Sequence, residues 1–249
     1  VKFIKRDHRK FYISLLTILI LTLSQAVAES LTLDLGNAEG SFSARLIQLF
    51  LAITVLSVAP SLVIMVTSFT RMVVVLSFLR TSLGLQQSPP NMVMVSLAMF
   101  LTLFVMAPTF EKAYNDGIAP LIAEKISEEQ ALYKAAEPFK EFMLKNVREK
   151  DLGLFLDLSR TGTLEKPSDT PLKVLVPAFM ISELKRSFEI GFLIFIPFLI
   201  IDLVVAAILM SMGMMMLPPV MISLPFKIIF FVLIDGWHLL SGSLVNSFS

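Results

Sequence analysis

The chain has 249 residues, no Cys, and 21 Lys or Arg against 20 Asp or Glu, a formal net charge of +1. Without Cys there is no disulfide framework, thiol nucleophile or thiolate metal site, and a near-neutral balance gives no electrostatic case for nucleic acid as a partner. A hydrophobic share of 55% is above that of an ordinary soluble domain and points to a membrane protein.

Residues 1–10 carry Lys2, Lys5, Arg6, Arg9 and Lys10 against one acid, Asp7. An apolar run over 11–23 follows, short for a comfortable span, and Ala26-Val27-Ala28 offers small residues at the spacing a signal peptidase reads. Residues 1–28 are therefore expected to be a secretory signal peptide, the alternative being an uncleaved anchor helix. Residues 29–44 are short and polar and read as a flexible N-terminal arm.

Residues 45–110 read as a first helical membrane hairpin, with spans over 46–69 and 91–110. From Leu46 to Phe110 its charges are Arg71 and Arg80. Pro60 is expected to kink the first helix, which Val73, Val74, Val75 and Leu76 can prolong. Gly84 and Pro89-Pro90 mark the turn, and Ser88 can cap the helix beyond it.

Residues 111–189 hold 12 Lys or Arg and 14 Asp or Glu, more than half the charge of the chain. Ser127-Glu128-Glu129-Gln130 is a capping box that opens a helix reaching about Lys150, with Gly153 near its end. A Thr-, Gly- and Pro-rich loop covers 160–170. Pro171 starts another helix, which Pro177 interrupts or restarts, and Ile181, Leu184 and Phe188 form a helical apolar stripe. No strand pattern occurs, so this segment is read as a helical layer outside the membrane.

Residues 190–249 read as a second membrane hairpin, two apolar runs around a break at 212–218. Asp202 lies nine residues before Ser211 and Lys227 nine after Pro218. At a rise of about 1.5 Å per residue both sit roughly 14 Å from the tip. Opposite charges at equal depth predict an Asp202–Lys227 pair, within the chain or between copies; alternatively each faces a watery lumen. Met210, Met212, Met214, Met215 and Met216 crowd the tip. They can form a compliant apolar seal around a passing chain or simply fill gaps at a helix turn. Trp237 reads as a headgroup-level anchor.

Catalytic readings are poor. Asp202 and Asp235 are expected about 12 Å apart along the helix axis, too far for carboxylates that share a proton. His8 and His238 are isolated, and there is no HExxH, phosphate loop or GxSxG, so neither enzyme activity, a metal nor a cofactor is expected. Arg71 and Arg80, with no acid beside them, orient the first loop towards the cytoplasm. The mature N-terminus and the 111–189 layer then fall on the periplasmic side.

Several stretches carry a resemblance: SFTRMVVVLSFLRTSLG (68–84), QQSPPN (86–91), FLTLFVMAP (100–108) and, above all, residues 177–237 from PAFMISELKRSFEIGF to FVLIDGW. In these the chain resembles the FliP family of flagellar biosynthetic proteins, over about residues 41–244 and most weakly over 111–170. Counterparts of that family serve virulence-type type III secretion; the signal peptide favours the flagellar branch. The resemblance implies an all-α, multi-span subunit of the export gate in the bacterial inner membrane, within the flagellar basal body. It implies a homo-oligomer, a pentamer in the family, built with FliQ-like and FliR-like subunits, an FlhB-like subunit nearby, and unfolded export substrates passing through. It also implies that Met210, Met212, Met214, Met215 and Met216 act as the pore gasket, and that the hairpins pack in a cone raised from the membrane plane. A small-solute transporter is the reading from another class, for which the internal inverted repeat is missing.

Overall fold

The computed structural model describes residues 42–159, 167–214 and 216–248. The signal peptide, most of the polar arm, residues 160–166 and Met215 lie outside them. The chain divides into two compact units, residues 1–55 and 56–249. Of the first, the described part is helical. Apart from the start of the helix that begins at Phe42, the features discussed below lie in the second.

The described residues are all-α. Helix α1 covers Phe42–Met65, α2 Phe69–Ser82, α3 Asn91–Ala113, α4 Glu128–Asn146, α5 Glu149–Leu158, α6 Leu172–Ser211, α7 Pro219–Leu233 and α8 Gly236–Asn246. After α3 the chain makes one π turn, Tyr114–Ile118, and a final helical turn, Ala119–Ile122. Two stretches are long and apolar enough to cross a membrane, Asn91–Ile122 and Leu172–Ser211. Their 40-residue member, α6, is about 60 Å long at 1.5 Å per residue, twice the ~30 Å of a hydrocarbon core.

Helix α6 is the spine. It packs along α2, and α4, α5 and α7 also lie against it. One core gathers Met72, Val75, Leu76 and Leu79 of α2 with Ala98 of α3, Phe198 of α6, Phe231 of α7 and Leu244 of α8. A smaller one joins Met143 of α4 to Leu175 and Phe179 of α6.

Several boundaries differ from expectation. Helix α1 passes through Pro60, and the break comes later, at Val66–Ser68, where Thr67 Oγ1 takes the Ile64 carbonyl (3.2 Å) and thereby competes with the helical ladder. Ser88 does not cap α3: Pro90 precedes its first turn, and a proline there needs no amide partner. Ser127 does cap α4, accepting from the Gln130 amide at 3.4 Å. That helix stops at Asn146 rather than Lys150, and Gly153 lies inside α5. Pro177 neither ends nor restarts α6, which also runs through Pro197. A helix within packed neighbours tolerates a missing amide better than one in water. The second half of the 190–249 hairpin is bent by 64° between α7 and α8. Asp235 is left-handed there (φ +50°), and a Cβ on Gly236 would sit 2.1 Å from the Phe231 ring. That close approach requires glycine.

Candidate functional site

The tip of the second hairpin is closed by backbone geometry. Met212 caps α6, and Gly213 follows at φ +74°. The Gly213 amide donates to the Met210 carbonyl (3.1 Å) and the Met214 amide to the Leu209 carbonyl (3.0 Å). This is a Schellman motif, in which a left-handed glycine satisfies two orphan carbonyls. Pro218 and Pro219 then open α7. The motif turns the methionines outward: Met210, Met212 and Met214 are exposed, and Met216 is 98% exposed. Thioether side chains this bare form a deformable apolar surface that gains from being covered.

Behind the tip the structure brings Asp202 and Lys227 together. Lys227 Nζ donates to Asp202 Oδ2 at 2.6 Å and to the Ser82 carbonyl at 3.1 Å, while Ser223 Oγ donates to Asp202 Oδ1 at 2.5 Å. The pair is unequal: the Lys227 side chain is 4% exposed, Asp202 24%. Ser82 is the last residue of α2, so its carbonyl belongs to the partly negative helix end, where an ammonium is favoured. Three helices, α2, α6 and α7, thus meet at one ammonium. The sequence offered Asp202 and Lys227 but not Ser223 or the Ser82 carbonyl.

A second ion pair lies deeper. Arg71 Nε donates to Glu183 Oε2 at 2.8 Å and Nη2 to Oε1 at 2.5 Å. The side chains are 1% and 0% exposed. Arg71 Nη1 donates to the Ser247 carbonyl (2.9 Å) and hydroxyl (2.8 Å), and the guanidinium lies 3.5 Å from the centre of the Phe248 ring. Its planar fork spends four contacts here, which a lysine could not reproduce. Arg71 therefore adds no loop cation to the orientation reading. It is not a loop cation, since it sits in the first turn of α2 and is sealed from solvent. The positive-inside bias counts cations in loops flanking spans. Arg80 remains beside the α2–α3 turn, donating to Asn91 Oδ1.

Sequence reasoning missed Glu183 and its setting. Around it α6 is inverted: Ser182, Glu183 and Ser187 are buried, while Ile181, Leu184 and Phe188 of the apolar stripe are exposed. The usable signal was the small and polar row Glu183, Ser187 and Gly191, four residues apart on an otherwise greasy helix, which marks the face a neighbour approaches.

At the layer end, Ser182 Oγ donates to Asp151 Oδ2 (2.6 Å) and accepts from the Arg148 amide (3.1 Å). Arg148 holds both Asp151 oxygens, at 2.8 and 2.9 Å. The Arg148 hydrogen bonds, assisted by Ser182, keep the Asp151 carboxyl below its ordinary range against the cost of its burial, and Asp151 in turn raises Arg148.

Trp237 stands edge-on to Phe231, their ring centres 5.4 Å apart, in the first turn of α8. Both Asp202 oxygens are occupied by α7 donors, and Asp235 lies at the α7–α8 break. Among the described residues no group of three His, Cys, Asp or Glu could hold a metal ion.

The chain thus has a long apolar exterior, two ion pairs set between its helices and a bare methionine tip. The family model described as the FliP family matches residues 52–244. The chain belongs to the FliP family. Flagellar biosynthetic protein FliP of Caulobacter vibrioides is 59% identical over 224 residues, covering 90% of this chain and 84% of that protein. The protein of the same name from Bacillus subtilis is 59% identical over 202 residues, 81% of this chain and 91% of its own. That from Aquifex aeolicus is 48% identical over 235 residues, 94% of this chain and 98% of its own. The stretches that carry the family likeness include α2, the α2–α3 turn and most of the α6–tip–α7 hairpin, where both ion pairs lie.

Proposed function

We propose that this chain is a non-enzymatic core subunit of the flagellar type III export gate in the bacterial inner membrane. Several copies, five by family expectation, assemble with FliQ-like and FliR-like partners around a pore for unfolded flagellar proteins, with an FlhB-like subunit adjacent. The observation that carries this reading, beside the family, is the inverted surface of α6. Of its most apolar 18-residue window, 11% is buried within the chain. So much apolar face needs lipid or other subunits to cover it. Relatives bearing the flagellar name favour the flagellar branch over the virulence branch.

In this reading the methionine tip is the gasket. Residues 111–189 form the periplasmic-side layer, 45–110 and 190–249 the two hairpins, 29–44 a periplasmic arm left after loss of 1–28, and Trp237 an interfacial anchor. Helix α6 links layer to hairpin, since no break separates 189 from 190. The described residues hold up to four spans, few to enclose a channel alone, which supports a ring.

The test replaces Met214, Met215 and Met216 with Gly in cells that rely on this chain for motility. Membrane ion conductance is expected to rise while the detergent-extracted complex keeps its mass. Unchanged conductance with an intact complex rejects the gasket.

A further inference from the structure

The contacts behind the tip are more particular than an ion pair across a hairpin. Lys227 Nζ has two acceptors on two helices, Asp202 of α6 and the terminal carbonyl of α2, and Ser223 fills the second oxygen of Asp202. We infer that Lys227, Asp202, Ser223 and the Ser82 carbonyl form a directional three-helix clamp that fixes the methionine tip against the α2–α3 turn, with Ser223 and Lys227 as its positioning residues. The inference rests on the gasket reading for its consequence, though not for its geometry.

The direction follows from helix electrostatics. The C-terminal turn of α2 presents carbonyls and the negative end of its dipole. An ammonium there satisfies both the carboxylate and the carbonyl. A carboxylate in its place would repel the carbonyl and leave it without a donor at the Lys227 end of the site, which is 4% exposed. The cation must therefore come from α7 and the anion from α6. A simple Coulomb pair has no such preference, because exchanging its members restores the attraction.

The turn that follows α2 is itself held by hydrogen bonds. Gly84 at φ +77° closes it, with its amide on the Thr81 carbonyl and the Leu85 amide on the Arg80 carbonyl. Arg80 extends to Asn91 at the start of α3. Lys227 thus bonds the helix end from which this hydrogen-bonded turn departs. The Ser223 hydroxyl stops the Asp202 carboxylate from rotating away, and a hydrogen bond of a hydroxyl to a charged group is the kind whose loss is felt.

The chain has no Cys, so two introduced cysteines can be spin-labelled without background. Ser88, exposed in the turn, and Leu217, exposed at the tip, are the label positions. The full chain, extracted with whatever subunits accompany it, is measured by electron–electron dipolar spectroscopy, and ion leak is measured in parallel in cells. With the labelled chain diluted among unlabelled copies so that the pair within one chain is read, the label distance in the parent is expected to be single and narrow. Ser223→Ala is expected to broaden it and to raise leak about tenfold, the population shift that losing one charged hydrogen bond allows. Ser223→Thr, which keeps the hydroxyl, is expected to restore both. The exchange Asp202→Lys with Lys227→Asp is expected to stay broad and leaky.

Recovery of the narrow distance in the exchanged variant overturns the clamp in favour of a plain pair. An unchanged distance in Ser223→Ala also overturns it, whatever the leak. Should the exchanged variant fail to assemble, Ser223→Ala and Ser223→Thr decide alone. A broadened distance without leak supports the clamp and counts against the gasket, so the two readings fail separately.

Discussion

The two interior ion pairs differ in depth, in geometry and in what they hold. Arg71–Glu183 joins residues 112 positions apart, is sealed on both sides and adds two contacts to Ser247 and a ring face from Phe248. Asp202–Lys227 joins residues 25 apart, and its carboxylate remains partly open. The first ties α2, α6 and the residues after α8 into one body. The second ties the methionine tip to that body. A pair with no access to solvent cannot loosen without stranding a charge, whereas a partly wetted one can. One charge pair is thus enclosed framework, and the other is the anchorage of the tip, open to solvent on its carboxylate side.

The sharpest way to break this comparison is Arg71→Ala. Leaving Glu183 alone in the interior is expected to cost about 3–5 kcal/mol, enough to abolish a stable chain. Arg71→Lys is expected to recover little, because the bidentate fork is lost. Expression and thermal unfolding of the extracted protein check both, and a stable, motile Arg71→Lys strain would contradict the framework role.

Asp202→Asn should cost less, about 1–2 kcal/mol, since the amide still accepts from Lys227 and solvent reaches the site. Assembly should persist while conductance rises. Equal loss of stability in Asp202→Asn and Glu183→Gln, in parallel denaturant titrations, would erase the distinction drawn between the pairs.

The smallest effect lies in the layer. Arg148 and Ser182 hold Asp151 below the ordinary carboxylate range. Its contribution is therefore full above about pH 4, the value in the unfolded chain, and is lost as pH falls through the depressed folded value. Asp151→Asn should remove about 1 kcal/mol at neutral pH, as for one partly exposed pair, and flatten the acid limb of the stability curve. An unaltered acid limb would mean that this contact holds nothing.

These residues also show why one pair was legible and the other was not. Asp202 and Lys227 flank a short break, and helical rise alone sets them at one depth. The break itself was readable from Gly213 and Pro218-Pro219, because the left-handed glycine and the proline-opened helix are local chemistry. Arg71 carried no such mark. On an apolar stretch it looked like a loop cation, and nothing local pointed to Glu183. The stripe of Ile181, Leu184 and Phe188 was equally ambiguous. In water an apolar stripe marks the inside; a helix covered by lipid or by other subunits can turn it outward and keep its serines and carboxylate within.

The sequence by itself determined the helical class, the hairpin break, the methionine tip and the family, because these depend on composition, on period and on residues close in the chain. Only the tertiary structure decided that α6 is one unbroken rod, that α7 and α8 part at Asp235, and which face of each helix carries charge inward. Those outcomes depend on what stands opposite each side chain. In a chain apolar on nearly every side, hydrophobicity no longer says which way is in.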